Sequence, residues 1–209
     1  MLTKIRNILK KKNKIKIVSL TAYSKNIAKI LDKYCDITLV GDSLANALYG
    51  MKNTHQLSLN TIILHSISVK AAVKKSLMVV DMPKGTYKNP RQAKKNAKII
   101  FDKTKCDAVK IESNNKNFKI IREIIKAKIP VMGHIGYTPQ FKNKFKVEGK
   151  NKKEIKKLLK EAISIEKAGA FSIVLECITP STAKLITKSL KIPTIGIGSS
   201  SHCDGQILV

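Results

Sequence analysis

Ile37-Thr38-Leu39-Val40-Gly41-Asp42-Ser43 is the stretch that decides the fold. A short run of strand-forming residues stops at a glycine and then presents an acid and a hydroxyl, as a buried strand does when it delivers polar groups at its end. The same grammar returns at Leu77-Met78-Val79-Val80-Asp81, Ala108-Val109-Lys110-Ile111-Glu112, Val131-Met132-Gly133-His134 and Ile173-Val174-Leu175-Glu176. Segments with helical apolar spacing separate these runs, so the pattern predicts parallel strands whose ionisable side chains gather at one rim.

Working outward, Ile15 to Leu20 and Pro193 to Gly198 read as further strands, and Gln206-Ile207-Leu208-Val209 as the last of eight. Helices are expected from about Ser24 to Tyr34, Leu59 to Lys75, Asn89 to Lys103 and Lys152 to Lys167, with a loop from Leu44 to about Ser58. Asn89-Pro90 supplies an N-cap and an N1 proline, and Gly169 lies where a C-cap glycine belongs. Eight strands alternating with helices predict one (β/α)8 barrel domain over residues 1–209, preceded by a basic N-terminal helix at about 3–12. A doubly wound open sheet is the alternative, because the link from Gly198 to Gln206 is shorter than an ordinary crossover of about 12 residues. The chain also stops inside the eighth strand, so the barrel reads as truncated there, with apolar wall left uncovered.

Composition narrows the class. The 209 residues are 43% hydrophobic, enough for one large core. No apolar run approaches the roughly 18 residues of a membrane span, and the basic start is not followed by a signal-peptide core, which predicts a cytoplasmic protein. Cys35, Cys106, Cys177 and Cys203 lack the spacing of a zinc site or disulfide framework. A formal charge of +27 raises the question of nucleic acid. Against that, only Arg6, Arg91 and Arg122 are arginines, and the lysines are spread over every helical segment instead of forming one stripe with aromatics.

Each rim residue also has a bland reading. Asp42 and Asp81 could be helix N-caps, His134 a core histidine, Lys110 and Glu112 a structural ion pair, and Glu176 a surface acid. Taken in series, Thr21-Ala22-Tyr23, Val40-Gly41-Asp42-Ser43-Leu44, Asp81-Met82-Pro83, Val109-Lys110-Ile111-Glu112, the run from Pro130 through Gly133-His134-Ile135-Gly136 to Gln140, Val174-Leu175-Glu176-Cys177, Ile192 to Gly198 and Cys203-Asp204-Gly205-Gln206 resemble the ketopantoate (3-methyl-2-oxobutanoate) hydroxymethyltransferase family. The resemblance implies a barrel of the phosphoenolpyruvate/pyruvate type that moves a hydroxymethyl group from 5,10-methylenetetrahydrofolate to 3-methyl-2-oxobutanoate in coenzyme A biosynthesis. It implies Mg2+ on Asp42 and Asp81 with Glu112 in the metal's outer shell. It places Asp42, Ser43, Asp81, Lys110 and His134 around the keto acid, and makes Glu176 the general base. It further implies a homo-oligomer, a decamer in the family, whose partners are a small keto acid and a folate, with no membrane. The chemistry asks for such groups on its own terms: an enolate needs a base on one side and a hard cation on its oxygens. A related enolate-forming lyase or mutase barrel would share the metal carboxylates, and a degenerate lysine-rich barrel would keep the fold without turnover.

Overall fold

The structure is a computed structural model and describes residues 2–113 and 118–209. Among these, strands and helices alternate. After α1 (Leu2–Lys10) come β1 (Ile17–Thr21), α2 (Lys25–Leu31), β2 (Ile37–Val40), the short α3 (Leu44–Ala47), a 3-10 turn (Thr54–Gln56) and α4 (Leu59–Lys70). The chain continues through β3 (Leu77–Asp81), α5 (Pro90–Thr104), β4 (Ala108–Glu112), α6 (Phe118–Lys126), β5 (Val131–Gly136) and α7 (Lys152–Lys167). It closes with β6 (Ser172–Glu176), α8 (Pro180–Ser189), β7 (Thr194–Ile197) and β8 (Gly205–Leu208). All the strands are parallel and in chain order, and β8 pairs with both β7 and β1, so the sheet is a closed barrel and the open-sheet alternative is excluded.

Two apolar layers follow from the two-residue period of the strands. Ile17, Ile37, Leu39, Leu77, Val79, Ala108, Met132, Val174, Ile195 and Ile207 fill the barrel interior. Their neighbours Val40, Met78, Val80, Val109, Ile111, Ile173 and Leu175 face outward under the helices. Counting in twos from the interior set leads from Val79 to Asp81, from Ala108 to Lys110 and Glu112, from Met132 to His134 and from Val174 to Glu176. One alternation therefore fills the core and then carries its ionisable residues to the C-terminal mouth.

The N-terminal mouth is closed by α1. Ile5 and Ile8 join the interior cluster. Lysines from this segment bind the residues just ahead of the strands: Lys4 donates to the Ser76 carbonyl at 2.8 Å, Lys11 to Asp36 at 2.6 Å and Lys12 to Asp204 at 2.8 Å. The basic start of the sequence is thus a plug. Asp204 also explains how the short β7–β8 link closes the barrel without a helix. Its carboxylate accepts from Asn13 N at 3.0 Å and Thr194 N at 2.8 Å, tying the plug, β7 and β8 to one side chain.

Local boundaries differ from the sequence reading in three places. The stretch 44–58 holds α3 and a 3-10 turn instead of being loop throughout. Helix α4 ends at Lys70, short of Lys75, because buried Asp32 accepts hydrogen bonds from the backbone N–H groups of Lys74, Lys75 and Ser76 at 2.8–3.0 Å and draws the chain out of the helix. Helix α2 is shorter than expected, and Ser24 stands at its N-cap without a side-chain cap bond. Outward-facing Val18 and Leu208 are exposed on the outer wall of β1 and β8.

Candidate active site

A cavity of about 630 Å³ opens at the C-terminal ends of the strands. Asp42, Ser43, Asp81, Lys110, Glu112, His134 and Glu176 all line it, so the structure brings every residue singled out in the sequence into one mouth.

The floor is built by strand register. Asp81 lies beside Lys110 across β3 and β4, and Glu112 beside His134 across β4 and β5. Asp42 comes from the turn after β2, where Gly41 has no Cβ to meet Ser43 Oγ and Asp81, and the Asp42 N–H reaches Asp81 Oδ2 at 3.0 Å. Lys110 Nζ donates to Asp81 Oδ1 at 2.7 Å, both side chains being buried. The partner of Lys110 in this bond is thus Asp81, on the neighbouring strand. Neither aspartate caps a helix: the N-cap of α3 is Ser43, and the Asp81 carboxylate is occupied by Lys110 and the Asp42 N–H.

Burial and mutual repulsion set the charge states. Asp42 is pushed up to about 6, by desolvation first and then by the negative charge of Asp81. Glu112 is held well above the usual carboxylate range by burial and by Asp42. For Lys110, desolvation favours the neutral amine, but Asp81, Asp42 and Glu112 outweigh it and raise its pKa. His134 is lowered by burial and by Lys110, which keeps the ring neutral.

The wall beside the floor carries the remaining groups. His134 Nε2 lies 3.1 Å from Glu176 Oε2, and its Nδ1 faces Glu112 Oε1 at 3.8 Å. The buried imidazole thus stands between two carboxylates of the mouth, with Glu176 the nearer. Glu176 is held by its backbone: Tyr137 N–H donates to its carbonyl at 2.8 Å, and Cys177 after it takes the left-handed conformation, with φ of 52°. Gly136 permits this approach. Its φ is +92°, and a Cβ there would fall inside the contact radius of the Glu176 carbonyl oxygen.

Three residues of the site carry no individual role in the sequence reading. Tyr23 hydroxyl lies 2.8 Å from Ser43 Oγ. Gln140, from the loop after β5, donates its backbone N–H to Glu112 Oε2 at 2.9 Å and its Nε2 to Asp42 Oδ2 at 2.8 Å. Tyr87 donates to Gln140 Oε1. No periodicity points to them, because their contacts depend on where loops cross the mouth.

The donors suit a hard divalent cation. Two buried strand-end carboxylates face one cavity, and the charge of one raises the proton affinity of the other, a repulsion that a cation between them would relieve. Among the described residues no group of three or more His, Cys, Asp or Glu side chains forms a ready-made cage. Two carboxylates completed by water and substrate oxygens is the coordination Mg2+ favours, whereas a structural zinc site needs four protein ligands.

Comparison with known proteins agrees with this geometry. The family model for ketopantoate hydroxymethyltransferase matches residues 2–209. The 3-methyl-2-oxobutanoate hydroxymethyltransferase of Pelagibacter ubique is 58% identical over 206 residues, covering 99% of this chain and 80% of that protein. The enzyme of the same name from Thermosipho africanus is 48% identical over 210 residues, covering 98% and 79%. Among solved structures, phosphoenolpyruvate phosphomutase from Streptomyces platensis superposes with a TM-score of 0.75 at 12% identity, covering 99% of this chain and 80% of that one. A 2,3-dimethylmalate lyase of the PEP mutase/isocitrate lyase superfamily gives 0.74 at 15% identity, covering 99% and 77%. These structural likenesses establish the barrel type, and the sequence relationships decide within it: the chain belongs to the ketopantoate hydroxymethyltransferase family.

Proposed function

We propose that this chain transfers a hydroxymethyl group from 5,10-methylenetetrahydrofolate to 3-methyl-2-oxobutanoate, forming 2-dehydropantoate for coenzyme A biosynthesis. The observation that carries the reading is the convergence of Asp42, Asp81, Lys110, Glu112, His134 and Glu176 on one cavity of a chain with this family membership.

Lys110 keeps its positive charge against burial and sits where a carboxylate of the keto acid can be neutralised. Ser43, with its hydroxyl against Tyr23, and the neutral His134 ring supply further polar contacts for the same substrate. Glu176, more open to solvent than the floor carboxylates, takes the proton from the carbon beside the ketone. Asp42 and Asp81 would hold Mg2+, with Glu112 in its outer shell, and the ion would draw charge from the keto acid's oxygens as that proton leaves. The cavity is also lined by Lys52, Asn53, His55, Lys142 and Asn143, polar and basic groups suited to an anionic co-substrate such as a folate, with Lys142 also paired to Glu148.

Two wider features belong to the proposal. Exposed Ile27, Ile30 and Tyr34 around α2, with Leu64 and Ile67 on α4, supply apolar surface for a homo-oligomer. The four cysteines are free and buried, as suits a reducing cytoplasm, and no described helix is long and apolar enough to cross a membrane.

Turnover of 3-methyl-2-oxobutanoate with the folate donor, with and without chelator, tests the reading. Activity abolished by chelator and by Asp81→Ala is expected, and full activity in chelator would refute it. Absence of any turnover alongside intact folding would favour the degenerate barrel, and turnover of a different 2-oxo acid without folate would favour the lyase or mutase.

A further inference from the structure

We propose that Gln140 is the positioning residue of the carboxylate floor and that Tyr87 fixes its orientation, so that one residue from the loop after β5, through its side-chain amide on Asp42 and its backbone N–H on Glu112, sets how the two meet a divalent cation. The inference rests on the reading of Asp42 and Asp81 as metal ligands and goes beyond it to residues with no assigned role.

Gln140 is 1% exposed and every polar atom of its amide is committed. Nε2 donates to Asp42 Oδ2 at 2.8 Å and to the Met82 carbonyl at 3.1 Å, while Oε1 accepts from Tyr87. Its backbone N–H holds Glu112 Oε2 at 2.9 Å. A carboxylate and a carbonyl can only accept from it, so the NH2 must face them and the oxygen must face the hydroxyl. The amide therefore has one permitted orientation. It ties the ends of β2, β3 and β4, through Asp42, Met82 and Glu112, to the loop that follows β5.

The loop is anchored independently. His55 Nε2 lies 2.8 Å from the Pro139 carbonyl, which can only accept, so that nitrogen carries the proton and Nδ1 is left to receive Lys84 Nζ at 3.1 Å. On the other side, buried Tyr87 packs edge-on against Phe141, with ring centroids 6.2 Å apart. With residues 139 and 141 held, Gln140 is a fixed arm. Two repelling carboxylates kept apart by a rigid donor present preset lone pairs to an ion, and hydrogen-bonded partners of this kind tune affinity from outside the coordination sphere.

The test uses Mn2+ alone as the probe, its free signal followed by electron paramagnetic resonance on the metal-free chain. Gln140→Met keeps length and removes both donors and the acceptor, and should raise the Mn2+ dissociation constant by about 10- to 100-fold. Tyr87→Phe removes one oxygen with no change of shape and should raise it about fivefold, which keeps the question open to experiment if Gln140→Met does not fold. At saturating Mg2+ the turnover of both variants should return towards wild type, because the ion itself then holds the carboxylates. A merely structural role would lower turnover at every Mg2+ concentration. Wild-type affinity in both variants, or turnover that Mg2+ does not restore, overturns the inference while leaving the metal reading intact. A wild-type chain that binds no Mn2+ overturns both.

Discussion

Replacing Lys110 with methionine isolates the electrostatics of the floor. The substitution keeps the aliphatic stem and removes the cation that lies 2.7 Å from Asp81 Oδ1, in a pair whose side chains are 7% and 3% exposed. Breaking one partner out of a buried pair costs about 3–5 kcal/mol, because the remaining charge is left uncompensated. For a domain of this size each kcal/mol lowers Tm by about 2–4 °C, so the loss should be about 6–20 °C. The pH dependence carries a sign. Asp42 titrates near 6 in the folded chain, above its unfolded value of about 3.9, so its ionisation opposes folding increasingly as pH rises from 4 through 6. Lys110 offsets that opposition, so its removal should cost more at pH 8 than at pH 5. Thermal unfolding followed by circular dichroism in chelator, at both pH values, reads this directly. Adding Mg2+ should raise Tm more in Lys110→Met than in wild type, since the ion supplies the missing charge. A variant within about 2 °C of wild type at pH 8, or one that loses equally at both pH values, would refute the reasoning.

Other outcomes follow from the same geometry. Glu176→Gln should lower kcat by about 10²- to 10⁴-fold, as loss of a general base does, while Mg2+ binding measured by calorimetry stays within about twofold of wild type. Gly136→Ala should destabilise by about 3 kcal/mol or more in urea unfolding, because a methyl group at φ of +92° would overlap the Glu176 carbonyl oxygen. Mg2+ affinity should rise with pH through about 6, where Asp42 loses its proton, and binding at pH 5 should release about one proton to the buffer. A flat affinity from pH 5 to 8 would contradict that charge assignment.

The parts of this architecture that are local in sequence could be read from it. Runs such as Leu77 to Asp81 carry both the two-residue period and the acid that ends it, so the barrel and its C-terminal rim follow from one pattern. Lys152 to Lys167 carries helical apolar spacing and ends just before Gly169, and the helix has those bounds, with Asn151 capping its start. What the pattern could not hold is tertiary override. Residues 71–75 keep helical composition, yet Asp32 from another element claims the backbone N–H groups of Lys74 and Lys75. The pairing of Lys110 with Asp81 needs the register of two strands far apart in the chain. Gln140 is a glutamine after a proline with nothing periodic around it, and its contacts with Asp42, Met82 and Glu112 exist only once three strand ends meet.

The central claim is that Asp42 and Asp81 share one divalent ion at the barrel mouth. Calorimetric titration of Mg2+ into the metal-free chain at pH 8 tests it most directly. One ion bound per chain in wild type, and none at the same site in Asp42→Ala or Asp81→Ala, is the expected result. Undiminished Mg2+ binding in both variants, each still folded, would contradict it.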